Sequence, residues 1–209
     1  ERPDIVYMGM GEPLMNRPAV MASLTLLNQA YGVGARRITV STVGVVPGIL
    51  ELAERPEQFR LAVSLHAPNH ELRQKLIPIE KKFPLPELLS ALRRFEAAGG
   101  RRITFEYTMI EGMNDSPELA RELAELVGEF GAHVNLIPYN PIPGNDWRPT
   151  PEAGIRRFAR VLEGAGVPVS VRTPRGRDIA AACGQLAAEH QLRPPKPYLA
   201  IGRPEPAAS

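Results

Sequence analysis

Short apolar runs alternate with amphipathic segments along most of the chain. Six runs, rich in Val, Ile and aromatic residues, have the composition of buried strands, and they cover residues 4–8, 37–41, 61–65, 103–109, 134–138 and 169–172. Between them, apolar residues recur at helical spacing, as at Leu85, Leu88 and Leu92. Because strands and helices alternate at intervals of roughly 25 to 40 residues, the pattern predicts an α/β fold with a parallel sheet.

Helix start signals support the same order of elements. Asn16 can cap a helix over residues 17–31, and either Asp115 or Ser116 can cap a helix with Pro117 in its first turn. Further helices are predicted over residues 47–53, 71–76, 85–95, 150–162 and 178–189.

The division of the chain follows from its composition. The last residues are proline-rich, so we expect one domain over residues 1–192 and a tail over residues 193–209. The chain begins at Glu1, without methionine and only a few residues before a strand. We therefore expect it to be the later part of a longer protein.

Composition excludes several classes of protein. Of the 209 residues, 44% are hydrophobic and 23% are charged, which is typical of a globular domain and not of bulk disorder. No apolar run approaches the roughly 20 residues that a membrane-spanning helix needs. A single cysteine excludes an internal disulfide framework, so we expect a reducing, cytoplasmic location.

Small, polar or charged residues follow all six predicted strands. They are Gly9, Gly11 and Glu12; Ser41, Thr42 and Gly44; Ser64, Leu65 and His66; Glu106, Tyr107 and Thr108; Asn140, Pro141 and Gly144; and Arg172, Arg175 and Gly176. In parallel β/α folds, ligands bind at the carboxyl ends of the strands. The pattern therefore predicts a ligand site at this edge, although loops are polar in general and chance would supply part of the set.

Each candidate residue also has a plain structural interpretation. Gly11 can make a tight turn or let a ligand approach the backbone, and Glu12 can accept hydrogen bonds from an amine. From the residues alone, His66 is better explained as a structural histidine, since it has no metal-ligand spacing with the other histidines. Asn140 can shape a turn with Pro141.

Cys183 is the least settled of the candidates. On the predicted helix it shares a face with Ile179 and Leu186, which favours a small buried residue. Arg175 and Arg177 are close in sequence, and cationic neighbours would lower the pKa of the Cys183 thiol and make it reactive. Spacing alone leaves the structural interpretation ahead.

Six strings in these regions, in order, resemble one family. They are MGMGEPLMN (8–16), RRITVSTVGVVP (36–47), LAVSLHAPN (61–69), ITFEYTMIEGMND (103–115), NLIPYNPIPG (135–144) and DIAAACGQLA (178–187). Together they resemble the radical S-adenosylmethionine (SAM) RNA adenine methyltransferases of the dual-specificity RlmN type. The resemblance covers nearly the whole chain except the proline-rich tail.

The resemblance implies a fold and an activity. The fold would be a partial (β/α)6 radical SAM barrel without its first strand and cluster loop. The activity would be methylation of carbon 2 of one adenine in 23S ribosomal RNA and in some transfer RNAs. An electron donor such as flavodoxin would be a partner, and the protein would be a monomer with no membrane association.

The resemblance also implies roles for particular residues. The family's SAM contacts fall on Gly11, Glu12, Ser41, Ser64, Leu65, His66 and Asn140, and its methyl-carrying cysteine falls on Cys183. The [4Fe-4S] cluster ligands, a resolving cysteine and a glutamate base would precede residue 1, so no metal ligand is expected here. Arg177 and Ala180 replace acidic residues of the family pattern, which leaves the RNA contacts less defined.

Two other functions are compatible with the same residues. One is the related resistance-type enzyme, which methylates carbon 8 of the same adenine. The other is an RNA-binding module that has lost catalysis. The two enzymes differ in the methyladenosine that they leave in ribosomal RNA, so the products would distinguish them.

Overall fold

A computed structural model describes residues 3–8, 11–100, 102–141 and 145–172. Its six strands are β1 (Ile5–Tyr7), β2 (Ile38–Thr42), β3 (Arg60–Ser64), β4 (Thr104–Met109), β5 (His133–Pro138) and β6 (Val169–Val171). They form one sheet in sequential order, and every neighbouring pair is parallel. The prediction of six parallel strands is confirmed, and the fold is α/β, in the arrangement of a partial β/α barrel.

Helices connect successive strands, as a parallel sheet requires. They are α1 (Arg17–Thr25), α2 (Val46–Ala53), α3 (His70–Leu76), α4 (Leu85–Ala97), α5 (Pro117–Gly128) and α6 (Glu152–Gly164). Each lies within or close to a predicted helix. The helix predicted over residues 178–189 and the tail over 193–209 lie outside the described residues.

The helix starts differ in part from the prediction. Ser116 caps α5, because its side chain accepts a hydrogen bond from the Leu119 backbone N–H at 3.3 Å. Asn16 makes no capping bond, because it ends a 3-10 helix, Pro13–Asn16, that runs directly into α1. The backbone beyond α1 continues as a π-helical turn, Leu26–Ala30, instead of α-helix.

The sheet has one apolar and one polar face. On β4, Phe105 and Tyr107 point to the helix-covered side, where their rings contact Phe130 and Phe158. Side chains alternate along a strand, so Thr104 and Glu106 point to the opposite side. The core lies between the apolar face and the helices, and it leaves the polar face available for a site.

Candidate functional site

Glu12 joins the loop after β1 to the end of β2. Its Oε1 accepts a hydrogen bond from the Leu14 backbone N–H at 3.0 Å, and its Oε2 accepts one from the Val43 N–H at 2.7 Å. Gly11, just before it, has φ of 101°, a conformation that favours glycine. A Cβ there would meet nothing within 4 Å, so the backbone angle and not crowding requires glycine at this position.

Ser41 and Thr42 end β2 on opposite faces of the sheet. The Thr42 hydroxyl accepts hydrogen bonds from the Gly44 and Val45 N–H groups at 3.1 and 3.3 Å, and so shapes the turn into α2. Ser41 is 8% exposed on the polar face, and its hydroxyl makes no hydrogen bond within the described part of the chain. It therefore retains both a donor and an acceptor for a ligand.

His66 has a structural bond as well as a candidate ligand position. Its Nδ1 accepts a hydrogen bond from the Thr108 N–H at 3.0 Å, and its φ is 57°, which is unusual for a residue with a side chain. Burial, and secondarily the positive charge of Arg73, lowers the pKa of His66 to about 4. The imidazole is therefore neutral near pH 7, with its proton on Nε2, where it can be donated to a ligand.

The loops after β2 and β3 are held together by Arg73, which sequence reasoning missed. Arg73 is completely buried, pairs with Glu80, and donates to the backbone oxygens of Val43 at 2.6 Å and Leu65 at 3.2 Å. Burial lowers the pKa of Arg73, and the ion pair with Glu80 opposes this shift. Val43 also donates to Glu12, so a continuous set of hydrogen bonds connects the ends of β1, β2 and β3.

Asn114 likewise connects the ends of β3 and β4 by hydrogen bonds, and the sequence analysis did not identify it. This buried amide donates to the backbone oxygens of His66 at 2.9 Å and Thr108 at 2.7 Å. Its Oδ1 accepts from the Ile110 N–H at 2.8 Å, and its backbone oxygen accepts from the Tyr107 hydroxyl at 2.8 Å. No sequence pattern identifies Arg73 or Asn114, because each forms hydrogen bonds with residues of different elements.

The polar face carries four side chains at one level of four neighbouring strands. Cα register pairs Ser64 with Glu106, Glu106 with Asn135, and Asn135 with Ser170. We call Ser64, Glu106, Asn135 and Ser170 the polar row. The alternation of polar residues in TFEYTM, HVNLIP and VSV was a signal that could have predicted it, since parallel strands are usually apolar on both faces.

The polar row has its own charge and hydrogen-bond pattern. The Ser170 hydroxyl donates to Asn135 Oδ1 at 3.1 Å, and its oxygen lies 2.8 Å from Nε2 of His133. Glu106 is 9% exposed, and its carboxyl group has no hydrogen-bond donor among the described residues. Burial raises the pKa of Glu106, and the positive charge of Arg172 opposes the shift.

Some of the remaining predicted site residues lie within the described part of the chain and others lie outside it. Asn140 follows β5 and is partly buried, next to Tyr139, whose N–H donates to the Met109 oxygen at 3.2 Å. Gly11, Glu12, Ser41, Ser64, Leu65, His66 and Asn140 therefore all lie at the carboxyl ends of β1, β2, β3 and β5. Cys183 lies outside the described residues, as do Gly9, Gly144, Arg175 and Gly176.

Among the described residues, no group of three or more His, Cys, Asp or Glu side chains could hold a metal ion. No helix in this part of the chain is both long enough and apolar enough to cross a bilayer.

Comparison with known proteins defines the class. The model of the radical SAM superfamily matches residues 1–124. The chain is similar in structure to a radical SAM methyltransferase from Sphaerobacter thermophilus, with a TM-score of 0.83 and 49% identity over 87% of this chain and 54% of that one. A domain of a pyruvate-formate lyase-activating enzyme from Bacteroides vulgatus, 18% identical with a TM-score of 0.63, shares the fold over 82% of this chain.

This chain belongs to the radical SAM superfamily. A probable dual-specificity RNA methyltransferase RlmN from Gemmatimonas aurantiaca is 53% identical over 188 residues, which are 89% of this chain and 51% of that protein. A protein of the same name from Thermosynechococcus vestitus is 50% identical over 87% of this chain and 54% of its own length. The chain thus spans about half the length of the relatives that it matches.

The superfamily uses SAM and a [4Fe-4S] cluster, and the residues of this chain fit the two groups differently. A cluster of this kind is held by several cysteine thiolates, and the chain has one cysteine. The chain's cysteines therefore do not fit the cluster, whereas the hydroxyl, amide and carboxyl groups at the strand ends fit the ammonium, carboxylate and ribose groups of SAM.

Proposed function

We propose that this chain forms the later part of a radical SAM methyltransferase that methylates carbon 2 of adenine in 23S ribosomal RNA and in some transfer RNAs. The observation that carries the proposal is the identity of about half of the aligned residues with proteins named as dual-specificity RNA methyltransferases. The aligned region extends over about nine-tenths of this chain.

In this proposal, Gly11, Glu12, Ser41, Ser64, Leu65, His66 and Asn140 bind SAM. Each Glu12 oxygen already accepts one backbone N–H and has a further lone pair, so the carboxylate can also accept from the SAM ammonium. The Ser41 hydroxyl lies on the polar face and makes no hydrogen bond with the described residues. His66 can donate from Nε2, because its Nδ1 is occupied by the Thr108 N–H.

Cys183 accepts the methyl group in this proposal. When bound, SAM supplies that methyl group: the Cys183 thiolate forms a bond to the methyl carbon, and the sulfonium sulfur leaves as a thioether. Arg175 and Arg177 would favour the thiolate because cationic neighbours lower the pKa of a thiol. The fixed loops at the strand ends hold the cofactor in place, and such positioning is the protein's part of the catalysis.

The remaining expectations belong to the same proposal. The cluster would take its ligands from residues other than those of this chain. The enzyme would act as a cytoplasmic monomer, away from membranes, and would receive electrons from a donor such as flavodoxin.

A chimera tests the proposed function. This chain would replace the matching half of the Sphaerobacter thermophilus methyltransferase, and the chimera would be expressed in a bacterium that lacks its own adenine-C2 methyltransferase. Mass spectrometry of digested ribosomal and transfer RNA should then find 2-methyladenosine, and the Cys183→Ala chimera should form none.

Three results would contradict the proposal. 8-Methyladenosine would show the other regiochemistry. Methylation by the Cys183→Ala chimera would remove Cys183 from the reaction. A chimera that is folded, carries its cluster and cleaves SAM, yet methylates no RNA, would contradict the assignment of the substrate.

A further inference from the structure

The polar row contains one carboxyl group, that of Glu106. Glu106 is nine-tenths buried, its carboxyl group lacks a hydrogen-bond donor among the described residues, and it lies on the face opposite the packed rings of Phe105 and Tyr107. Its oxygen atoms remain accessible from the polar face, and the positive charge of Arg172 acts on the carboxyl group. A ligand on the polar face can therefore supply a hydrogen-bond donor to Glu106.

The neighbours of Glu106 limit what that ligand can be. Asn135 is its register partner on β5, and the Asn135 Oδ1 already accepts from the Ser170 hydroxyl. This bond leaves the Asn135 amide nitrogen as a donor toward the ligand. Adjacent strands lie about 4.8 Å apart, so the acceptor of Glu106 and the donor of Asn135 are within reach of one flat group.

An aminopurine has the matching pattern. Adenine carries an exocyclic amine, which donates, beside ring nitrogens, which accept. A carboxylate accepts from a base amine in the same way that it accepts from the amine of cytosine. The opposite pattern, a carbonyl beside a ring N–H, would place an oxygen against the Glu106 carboxylate.

We propose that Glu106 and Asn135 bind the amine edge of an adenine ring on the polar face, with Glu106 as the residue that selects the amine. The inference rests on the proposed function, in which both SAM and the RNA substrate carry an adenine. The hydrogen-bonding groups of adenine are the same in SAM and in RNA. The experiments below distinguish the two ligands. Ser64 and Ser170 lie at the two ends of the row.

The first experiment compares nucleosides on the 209-residue chain. Saturation-transfer NMR titrations would measure the affinity for adenosine, for purine riboside, which lacks the amine, and for inosine, which has a carbonyl. Wild type should prefer adenosine to either analogue by about tenfold. Glu106→Gln replaces an acceptor oxygen by an NH₂ donor and should remove the preference or reverse it toward inosine.

Glu111→Gln is the matched control. Glu111 is exposed in the loop after β4, and among the described residues its backbone N–H donates to the Arg148 oxygen at 2.9 Å while its side chain makes no hydrogen bond. This variant should keep the wild-type preference. Thermal melts of both variants would establish that they are folded.

Two further ligands distinguish the sources of the adenine. S-adenosylhomocysteine represents the cofactor, and a short single-stranded RNA with one adenosine, compared with the same RNA carrying purine riboside, represents the substrate. A loss of affinity in Glu106→Gln for the first ligand alone assigns the polar row to the cofactor. If Glu106→Gln instead loses only the preference for the adenosine RNA over the purine riboside RNA, the polar row binds the substrate.

Several outcomes would overturn the inference. One is a folded Glu106→Gln variant that still prefers adenosine. The others are a wild-type chain that does not discriminate between the nucleosides and a wild-type chain that binds no adenine compound. The chimera provides the separate test of the proposed function. RNA methylation together with an unchanged Glu106→Gln preference rejects only this inference, whereas adenosine selection without RNA methylation rejects only the proposed function.

Discussion

The two faces of the six-residue strand β4 differ in composition and in packing. On one face Phe105 and Tyr107 are 0% exposed, and their rings contact rings from the helical layer. On the other face, Thr104 and Glu106 alternate with them, and Thr104 is partly exposed while Glu106 is 9% exposed. The comparison indicates that stability comes mainly from the first face, whereas the second face is kept polar at some cost in stability.

The largest difference is expected when one side chain is removed from each face. Phe105→Ala deletes a completely buried ring and should lower the free energy of unfolding by about 3–5 kcal/mol. Thr104→Ala, the neighbouring change on the polar face, should lower it by less than about 1 kcal/mol. Urea unfolding of the 209-residue chain, followed by circular dichroism, would measure both. Similar losses in the two variants would contradict the division of tasks.

The apolar face explains why the strands could be predicted from the sequence. A buried strand needs a short run of apolar, β-branched or aromatic residues, and all six predicted runs overlap observed strands. The strand-end residues followed from topology, because parallel strands place their carboxyl ends at one edge. The helix starts were less predictable: Asn16 has the right residue type for a cap, but the preceding 3-10 turn takes that position.

The support of the site could not be predicted in the same way. Arg73 and Glu80 read as surface charges, yet both are 0% exposed, and Arg73 bonds to carbonyl groups of two different loops. The role of Asn114 likewise depends on backbone atoms up to 48 residues away. Such bonds connect elements that only the folded chain brings together, so neither spacing nor residue type reveals them.

His66, in the loop after β3, should make the stability of the chain depend on pH. Its pKa is about 4 in the folded chain and ordinarily 6.5, so between these values the unfolded chain binds more protons. The contribution to stability is therefore complete above pH 6.5 and is lost as the pH falls to about 4. The loss should reach about 3 kcal/mol.

His66→Asn isolates this contribution. Asparagine tolerates the positive φ of 57°, and its Oδ1 can still accept from the Thr108 N–H, but it does not titrate. Urea unfolding at pH 7 and pH 4.5 should show a smaller loss of stability in the variant than in wild type. Equal losses would mean that other groups cause the acid sensitivity.

The smallest effect, and the sharpest test of the comparison, is expected for Glu106→Gln. Burial raises the pKa of Glu106, so above the ordinary carboxyl pKa the folded chain binds more protons than the unfolded chain. The contribution of this group to stability therefore falls as the pH rises through the raised pKa, and a neutral glutamine should not suffer this loss.

At pH 8 the Glu106→Gln variant should be at least as stable as wild type, with a gain of less than about 1 kcal/mol. At pH 3 the difference between the two should vanish. Differential scanning calorimetry at the two pH values would measure it. A clear loss of stability at pH 8 would mean that the Glu106 carboxylate supports the fold, and the polar face would then lose its distinction from the apolar one.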